Sequence, residues 1–232
     1  PMLNVTVEEL LQGMIIVSGN DASMALAEHI AGTEEAFSEY MNEYAQAMGL
    51  KNTNYQNSYG LDGDEHYSSS IDIAILASRI IKDFPQYFPW YSEQTFSSEK
   101  IRDLKTDQPI EQYNRNRLLK RDKTVDGMKT GYTSSAGYCL VATAERDSMR
   151  LIAVVTGSKT PDERTEAASA LLNYGFRFFE NKTIVESSKI YAQAKVWKGR
   201  DDNISLITNK EFLKTIPKGS SKNIQSKIEI FE

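Results

Sequence analysis

The first fifty residues repeat one rhythm, an apolar stripe at helical spacing followed by a short polar break. Val7, Leu10, Leu11, Met14 and Ile15 fall on one helical face. Thr6 with Glu9 three residues later makes the capping-box pattern that starts such a helix. Ser18-Gly19-Asn20-Asp21 interrupts the stripe, and Asn20 or Asp21 is placed to cap a second helix, Ala22 to Ile30. After Gly32-Thr33 a third helix is predicted from about Glu34 to Met48, with Phe37, Met41, Tyr44, Ala45 and Met48 on a shared face. Three helices in a row predict a helical layer. From Gly49 to Ser70 clusters of Asn, Gly and Asp mark turns. Ile71, Ile75, Leu76 and Ile80 then predict a fourth helix that Pro85 ends.

The rhythm changes in the second half. Residues 90–124 read as short strands and loops anchored by Phe96, Ile101 and Leu104. Tyr138 to Ala144 and Arg150 to Thr156 are runs of strand character joined by the polar turn Glu145-Arg146-Asp147-Ser148, so they predict an antiparallel hairpin. A helix from about Asp162 to Phe179 follows, with Ala167, Ala170, Leu171, Tyr174 and Phe178 on one side. Helices flanking a hairpin indicate an α+β domain. Beyond Asn181 the pattern becomes short strands around the turn Trp197-Lys198-Gly199, including Ile204 to Ile207 and Ile228-Glu229-Ile230. The division is expected at residues 1–184 and 185–232, the second part a small β-rich module too short to hold a core by itself.

Composition narrows the function classes. With 232 residues, 40% hydrophobic and 25% charged, this is an ordinary globular chain. A formal charge of -5 argues against nucleic-acid binding, which shows as a basic excess. The longest apolar runs, such as Leu151 to Val155, are far too short to cross a bilayer, and no signal peptide stands at the start. The single cysteine, Cys139, rules out an internal disulfide and reads as a packed strand thiol. Two histidines, His29 and His66, leave little room for a His-rich metal site, and no metal or organic cofactor is expected.

Two tripeptides carry chemistry. Ser18-Gly19-Asn20 lies in the break between two helices, and Lys129-Thr130-Gly131 directly precedes the first strand of the hairpin. A hydroxyl and an amide two residues apart on a tight turn can relay a proton and hold a carbonyl. Lys129 supplies a fixed cation and Thr130 a hydroxyl donor, both suited to a carboxylate. Gly131 leaves room for a ligand backbone beside a strand edge, and the edge N–H groups can serve an oxyanion. Alone, each tripeptide is a common turn or surface sequence. Their order and setting give them meaning, because serine acyl-transfer enzymes of the penicillin-recognising group combine Ser-x-x-Lys, a Ser-x-Asn-type motif and Lys-Thr-Gly.

The chain resembles the low-molecular-mass penicillin-binding proteins that act as D-alanyl-D-alanine carboxypeptidases. The likeness is carried by Val7 to Ala22, by Gly60-Leu61-Asp62 and Tyr67-Ser68-Ser69, by Asn114-Arg115-Asn116 with Leu118-Leu119, and by Val125 to Tyr138. It covers about residues 5–180 and extends more loosely through Val196-Trp197 and Ile216 to Gly219 into a β-rich C-terminal domain. The resemblance implies a penicillin-binding/β-lactamase-like fold, an antiparallel sheet with helices, followed by a small β-rich domain, both incomplete. It implies that Ser18 and Asn20 are the second-motif hydroxyl and amide, and that Lys129 and Thr130 bind and polarise a terminal carboxylate. Gly131 would lie beside the substrate, Arg115 would be a further carboxylate anchor, and the Tyr132 N–H one arm of the oxyanion hole. For Arg115 a plain solvated residue is the competing reading, given Arg117, Lys120 and Arg121 beside it.

One departure is large. No Ser-x-x-Lys precedes Ser18 in these 232 residues, so the chain taken literally lacks the nucleophile. Ser97-Ser98-Glu99-Lys100 fits the spacing but follows the second motif, in a polar stretch expected to be irregular, and reads as an accidental match. The resemblance implies that the parent protein removes the terminal D-Ala of peptidoglycan stem peptides ending in D-Ala-D-Ala, with β-lactams as covalent inhibitors. Its place would be periplasmic or otherwise outside the cytoplasmic membrane, with peripheral attachment through a C-terminal segment. Two alternatives stay open: a serine β-lactamase, against which the second motif reads Ser-Gly-Asn rather than Ser-Asp-Asn, and a non-catalytic cell-wall binding module.

Overall fold

The structure, a computed structural model, describes residues 4–103, 105–224, 227 and 229. The expected anchor Leu104 and the strand residues Ile228 and Ile230 lie outside the described residues. The chain forms two compact units. The first comprises residues 1–146 and 150–173, the second residues 147–149 and 174–232.

The first unit opens with α1 (Val7–Val17), α2 (Asn20–Ala31) and α3 (Glu34–Ala47). The capping box at the start of α1 is complete. Thr6 Oγ1 accepts from the Glu9 N–H at 3.2 Å and the Glu9 carboxylate accepts from the Thr6 N–H at 2.8 Å. The face of α1 is turned from the expected one: Gly13, Ile15, Ile16 and Val17 are buried while Val7 is exposed. In α3 Tyr44 likewise faces solvent, although Ala45 is buried. Neither Asn20 nor Asp21 caps α2. Both lie inside it, and Gly19 occupies the cap, its carbonyl accepting from Ser23 N–H at 3.1 Å. A Cβ at Gly19 would stand 3.2 Å from Asp21 Oδ1 and 3.3 Å from Ala22 Cβ, so a side-chain cap has no room there.

A turn-rich stretch leads to α4 (Ser70–Asp83), capped by the Ser69 hydroxyl. Asp72 is buried at its start and accepts from Asn52 N–H at 2.6 Å and Thr53 Oγ1 at 2.8 Å. Ile71, expected on the apolar face, is exposed, and Ala77 takes the core position. Then come a 3-10 turn (Phe88–Ser92), the hairpin β1 (Thr95–Arg102) with β2 (Pro109–Tyr113), and the short α5 (Leu118–Arg121).

The unit closes with β3 (Val125–Thr133), β4 (Gly137–Arg146) and β5 (Met149–Ser158), an antiparallel sheet in the order β3-β4-β5, followed by α6 (Pro161–Phe178). The β4–β5 turn is tight because Asp147 and Ser148 both adopt positive φ, 49° and 61°. Lys129-Thr130-Gly131 does not precede the first strand, as the sequence pattern suggests; it lies within β3, which pairs with β4 in register Lys129↔Val141 and Gly131↔Cys139. β3 is interrupted by Gly127 and Gly131 and by the charged Asp126 and Lys129, so it lacks the continuous apolar run of β4 and β5 and pattern alone passes over it. The buried side of α6 is Arg164, Thr165, Ala168 and Leu172, about one residue out of phase with the expected face. Leu171, Tyr174 and Phe178 are exposed.

Two apolar clusters fasten the parts of this unit that matter below. Ile15, Ile16 and Val17 pack with Phe96, which locks the end of α1 against β1. Phe88, Ala77 and Met128 form a second cluster that holds β3. Tyr91 packs on both, so the end of α1 and the strand β3 are referred to one shared side chain.

The second unit contains β6 (Phe179–Val185) paired antiparallel with β9 (Phe212–Pro217), and β7 (Ile190–Lys195) paired with β8 (Asn203–Ile207). The division expected at 184/185 falls at the last residues of β6.

Candidate active site

Ser18 ends α1 in the left-handed region, at φ 61° and ψ 46°, a conformation few non-glycine residues adopt. The following Gly19 N–H donates to Gly13 O at 3.1 Å, which closes the helix, and Asn20 begins α2 at once. The helix break is therefore as short as a chain allows. It projects the Ser18 hydroxyl towards β3, where the Lys129 ammonium donates to Ser18 Oγ and, at 3.2 Å, to the Thr130 carbonyl. Residues 111 positions apart in sequence thus meet directly.

The other expected site residues are placed less uniformly. Thr130 and Gly131 follow Lys129 on β3. A Cβ at Gly131 would meet Cys139 Cβ at 3.7 Å, an ordinary contact, so the interior of the sheet does not itself demand glycine. Tyr132 is exposed and stacks on Tyr138 with ring centroids 4.2 Å apart. Asn20 is exposed, and among the described residues its amide has no hydrogen-bond partner. Arg115 is exposed at its side chain while its backbone carbonyl is held from below.

The residue that holds it is Arg164, which sequence reasoning missed. From the buried face of α6 its guanidinium donates to Gly131 O and Cys139 O, each at 3.2 Å, and to Arg115 O at 3.4 Å. It also lies over the Tyr138 ring at 5.5 Å. Its Nε is buried without a partner among the described residues. A signal did exist: Arg164, Ala168 and Leu172 recur every four residues, which puts the arginine on the apolar stripe.

Electrostatically this is a cationic corner. Burial pushes the Lys129 ammonium down to about 8, and the neighbouring Arg115 and Arg164 charges push it the same way. The charges acting most strongly on Lys129 are therefore cations, a setting that an anionic ligand group would relieve. Beyond Tyr132, the β3–β4 turn is tied to the Gly60–Asp62 segment: Ser135 Oγ donates to Asp62 Oδ1, and Ser135 together with Thr133 holds the Asp62 carboxyl below its usual range.

Ser97-Ser98-Glu99-Lys100 lies in β1, at the point where its pairing with β2 shifts register between Ser97 and Arg102. Ser97 is exposed, whereas Lys100 turns with the buried Ser98 to Glu9, so Ser97 and Lys100 are not brought together as they would be on a helix. Their region has a structural task instead. Ser98 Oγ and Lys100 Nζ donate to the Glu9 carboxylate at 3.0 and 2.8 Å, pinning α1 to β1. Among the described residues no group of three or more His, Cys, Asp or Glu side chains is arranged to hold a metal ion.

The chain is similar to known proteins of one family. The family model described as D-alanyl-D-alanine carboxypeptidase matches residues 1–160, and that of the penicillin-binding protein 5 C-terminal domain matches residues 179–232. The D-alanyl-D-alanine carboxypeptidase DacA of Escherichia coli (strain K12) is 41% identical over 227 residues, covering 97% of this chain and 54% of the relative. Penicillin binding protein 5 from Haemophilus influenzae superposes with a TM-score of 0.81 at 44% identity, over 94% of this chain and 61% of that one. Penicillin-binding protein D2 from Listeria monocytogenes in its cefotaxime-bound form superposes with a TM-score of 0.65 at 30% identity, over 74% of this chain and 67% of that one. The chain spans about half the length of the curated relatives it matches. Its fold is of the penicillin-binding type, an α+β domain followed by a β domain.

Proposed function

We propose, from the premise that this chain belongs to the D-alanyl-D-alanine carboxypeptidase family, that its gene product removes the terminal D-Ala from peptidoglycan stem peptides ending in D-Ala-D-Ala. The observation that carries the reading is the contact between Lys129 Nζ and Ser18 Oγ, which joins two motifs at one point. The substrate carboxylate is received by Thr130 and by the cations Lys129 and Arg115. Asn20 donates to a substrate carbonyl, Gly131 lies beside the substrate backbone, and the Tyr132 N–H polarises the carbonyl under attack.

In this reading a serine of a Ser-x-x-Lys motif attacks the penultimate D-Ala carbonyl. Its proton reaches the departing amine through Ser18, whose oxygen already accepts from Lys129 and whose own hydrogen is therefore free to be given. The peptide C–N bond breaks, D-Ala leaves, and water cleaves the acyl ester. Among the 232 residues no such motif precedes Ser18, so the nucleophile belongs to a part of the gene product outside them. A β-lactam, whose carboxylate and strained amide imitate the D-Ala-D-Ala end, acylates the same serine. The work is done outside the cytoplasmic membrane, where peptidoglycan is; peripheral attachment to that membrane is the finer part of the proposal. Among the described residues no helix is long and apolar enough to span a bilayer.

The test is release of free D-alanine from an acylated D-Ala-D-Ala peptide by the intact gene product. Lys129→Ala is expected to slow it by on the order of a hundredfold or more. Unchanged release from this variant would remove Lys129 from the site, and absence of both D-alanine release and β-lactam acylation would remove the function.

A further inference from the structure

Asn116 has no assigned task, yet it is among the most enclosed polar side chains in the molecule, only 2% exposed. It follows Arg115, and its side-chain amide bonds to two neighbouring elements, β3 and α5. Nδ2 donates to Gly127 O of β3 at 3.0 Å, and Oδ1 accepts from Leu118 N–H of α5 at 3.2 Å. The orientation of the amide is forced, because a carbonyl can only accept and a backbone N–H can only donate. On the other flank the Asn116 N–H donates to Asn114 Oδ1 at 2.9 Å, while Asn114 Nδ2 donates to Glu93 O at 3.0 Å and its N–H to Gln94 O at 2.8 Å. Arg115 is therefore the exposed middle of a segment bolted at both ends, and Arg164 grips its carbonyl from beneath. One of those bolts is Gly127, two residues before Lys129 on the same strand.

We infer that Asn116 is a positioning residue that sets the separation between Arg115 and Lys129, and through it the width of the cationic corner that receives a carboxylate. The inference rests on the reading of that corner given under the proposed function. The side chain touches no ligand. It acts by holding Arg115 in register with β3, as a buried amide satisfied on both sides is able to do. Without the Gly127 bond the Arg115 segment keeps its anchors Leu118 and Leu119, 2% and 9% exposed, but loses its direct link to the strand that carries the lysine and is left with the indirect one through Arg164.

The probe is a matched pair of β-lactams, benzylpenicillin and its C3 methyl ester, with acylation of the intact gene product followed by mass. Wild type acylates faster with the acid than with the ester, and Arg115→Ala narrows that ratio. Asn116→Asp keeps shape and acceptor but cannot donate to Gly127 O. It is expected to lower the acid-to-ester ratio about tenfold, the scale of one charge-assisted hydrogen bond misplaced, with the ester rate changing less than about twofold. Asn116→Gln, which keeps both groups but adds a methylene, should move the ratio in the same direction, and serves if the first variant does not fold. An unchanged ratio in a folded variant overturns the inference and leaves the function standing. Equal slowing of acid and ester, or failure of both variants to fold, makes Asn116 merely structural and overturns it too. If wild type itself shows no preference for the acid, the carboxylate reading of the site has failed first.

Discussion

Lys129 is held where the fold does not want a charge, and Lys129→Met makes that measurable. Its ammonium is brought from an ordinary value of 10.5 to about 8 by burial and by Arg115 and Arg164. At about 1.36 kcal/mol per unit, the charged lysine costs the folded state about 3 kcal/mol at pH 7. Against this stand its hydrogen bonds to Ser18 and Thr130 O, about 1.5–3 kcal/mol each for a charged donor. Methionine keeps the length and the packing without the charge, so the stability of the variant relative to wild type should fall by about 2 kcal/mol between pH 7 and pH 10. The sign of the pH dependence follows. The folded pKa lies below the unfolded one, so the penalty is full below about 8 and is lifted as pH rises from there towards 10.5. Near pH 10 under about 1 kcal/mol of penalty remains, so wild type gains on the variant by about 2 kcal/mol. Urea denaturation of the intact gene product at pH 7 and pH 10 reads both values. A stability gap between Lys129→Met and wild type that is the same at pH 7 and pH 10 would refute the reasoning.

Other outcomes follow from the same structure. Leu140, 1% exposed on the central strand β4, should cost about 2–5 kcal/mol when changed to alanine, measured by the shift in urea midpoint; a loss under about 1 kcal/mol would mean that the sheet is not the core. Ser97→Ala should leave benzylpenicillin acylation of the gene product within about twofold of wild type, because Ser97 is exposed on β1 while Lys100 is engaged with Glu9; loss of acylation would restore it as a nucleophile. Lys100 first, then Thr6 and Ser98, hold the Glu9 carboxyl down from 4.5 to about 2. Its contribution to stability is present above 4.5 and disappears as pH falls through about 2. Glu9→Gln should accordingly flatten the acid limb of a melting-temperature profile in that window, and an unaltered acid limb would place the low-pH instability elsewhere.

Local chemistry was readable where the residues that decide it are neighbours in sequence. The Thr6–Glu9 capping box needs only three positions, and it appears as written. The Ser18 turn and the tripeptide on β3 were recognisable for the same reason. Burial was harder, because helix phase depends on what the helix packs against. In α6 the stripe of Leu171, Tyr174 and Phe178 is the more hydrophobic choice, yet the unit buries Arg164, Thr165, Ala168 and Leu172. Arginine reached that face because three backbone carbonyls await it there, two in strands and one in the Arg115 segment, and no local pattern announces a receptor built from three elements. Asn116 is hidden for a similar reason: its bond to Gly127 spans eleven positions and depends on how β3 is laid down. The false Ser-x-x-Lys at Ser97 shows the converse error. Spacing carries chemical meaning only on the element that gives it geometry, and here Ser97 is exposed while Lys100 turns with Ser98 to Glu9.

The most direct test is a crystal structure of the intact gene product acylated by benzylpenicillin. The ligand carboxylate is expected at about 3 Å from Thr130 Oγ1 and within reach of Arg115, with Ser18 Oγ still accepting from Lys129. A carboxylate turned to solvent, or an acyl group seated away from β3, would contradict that placement.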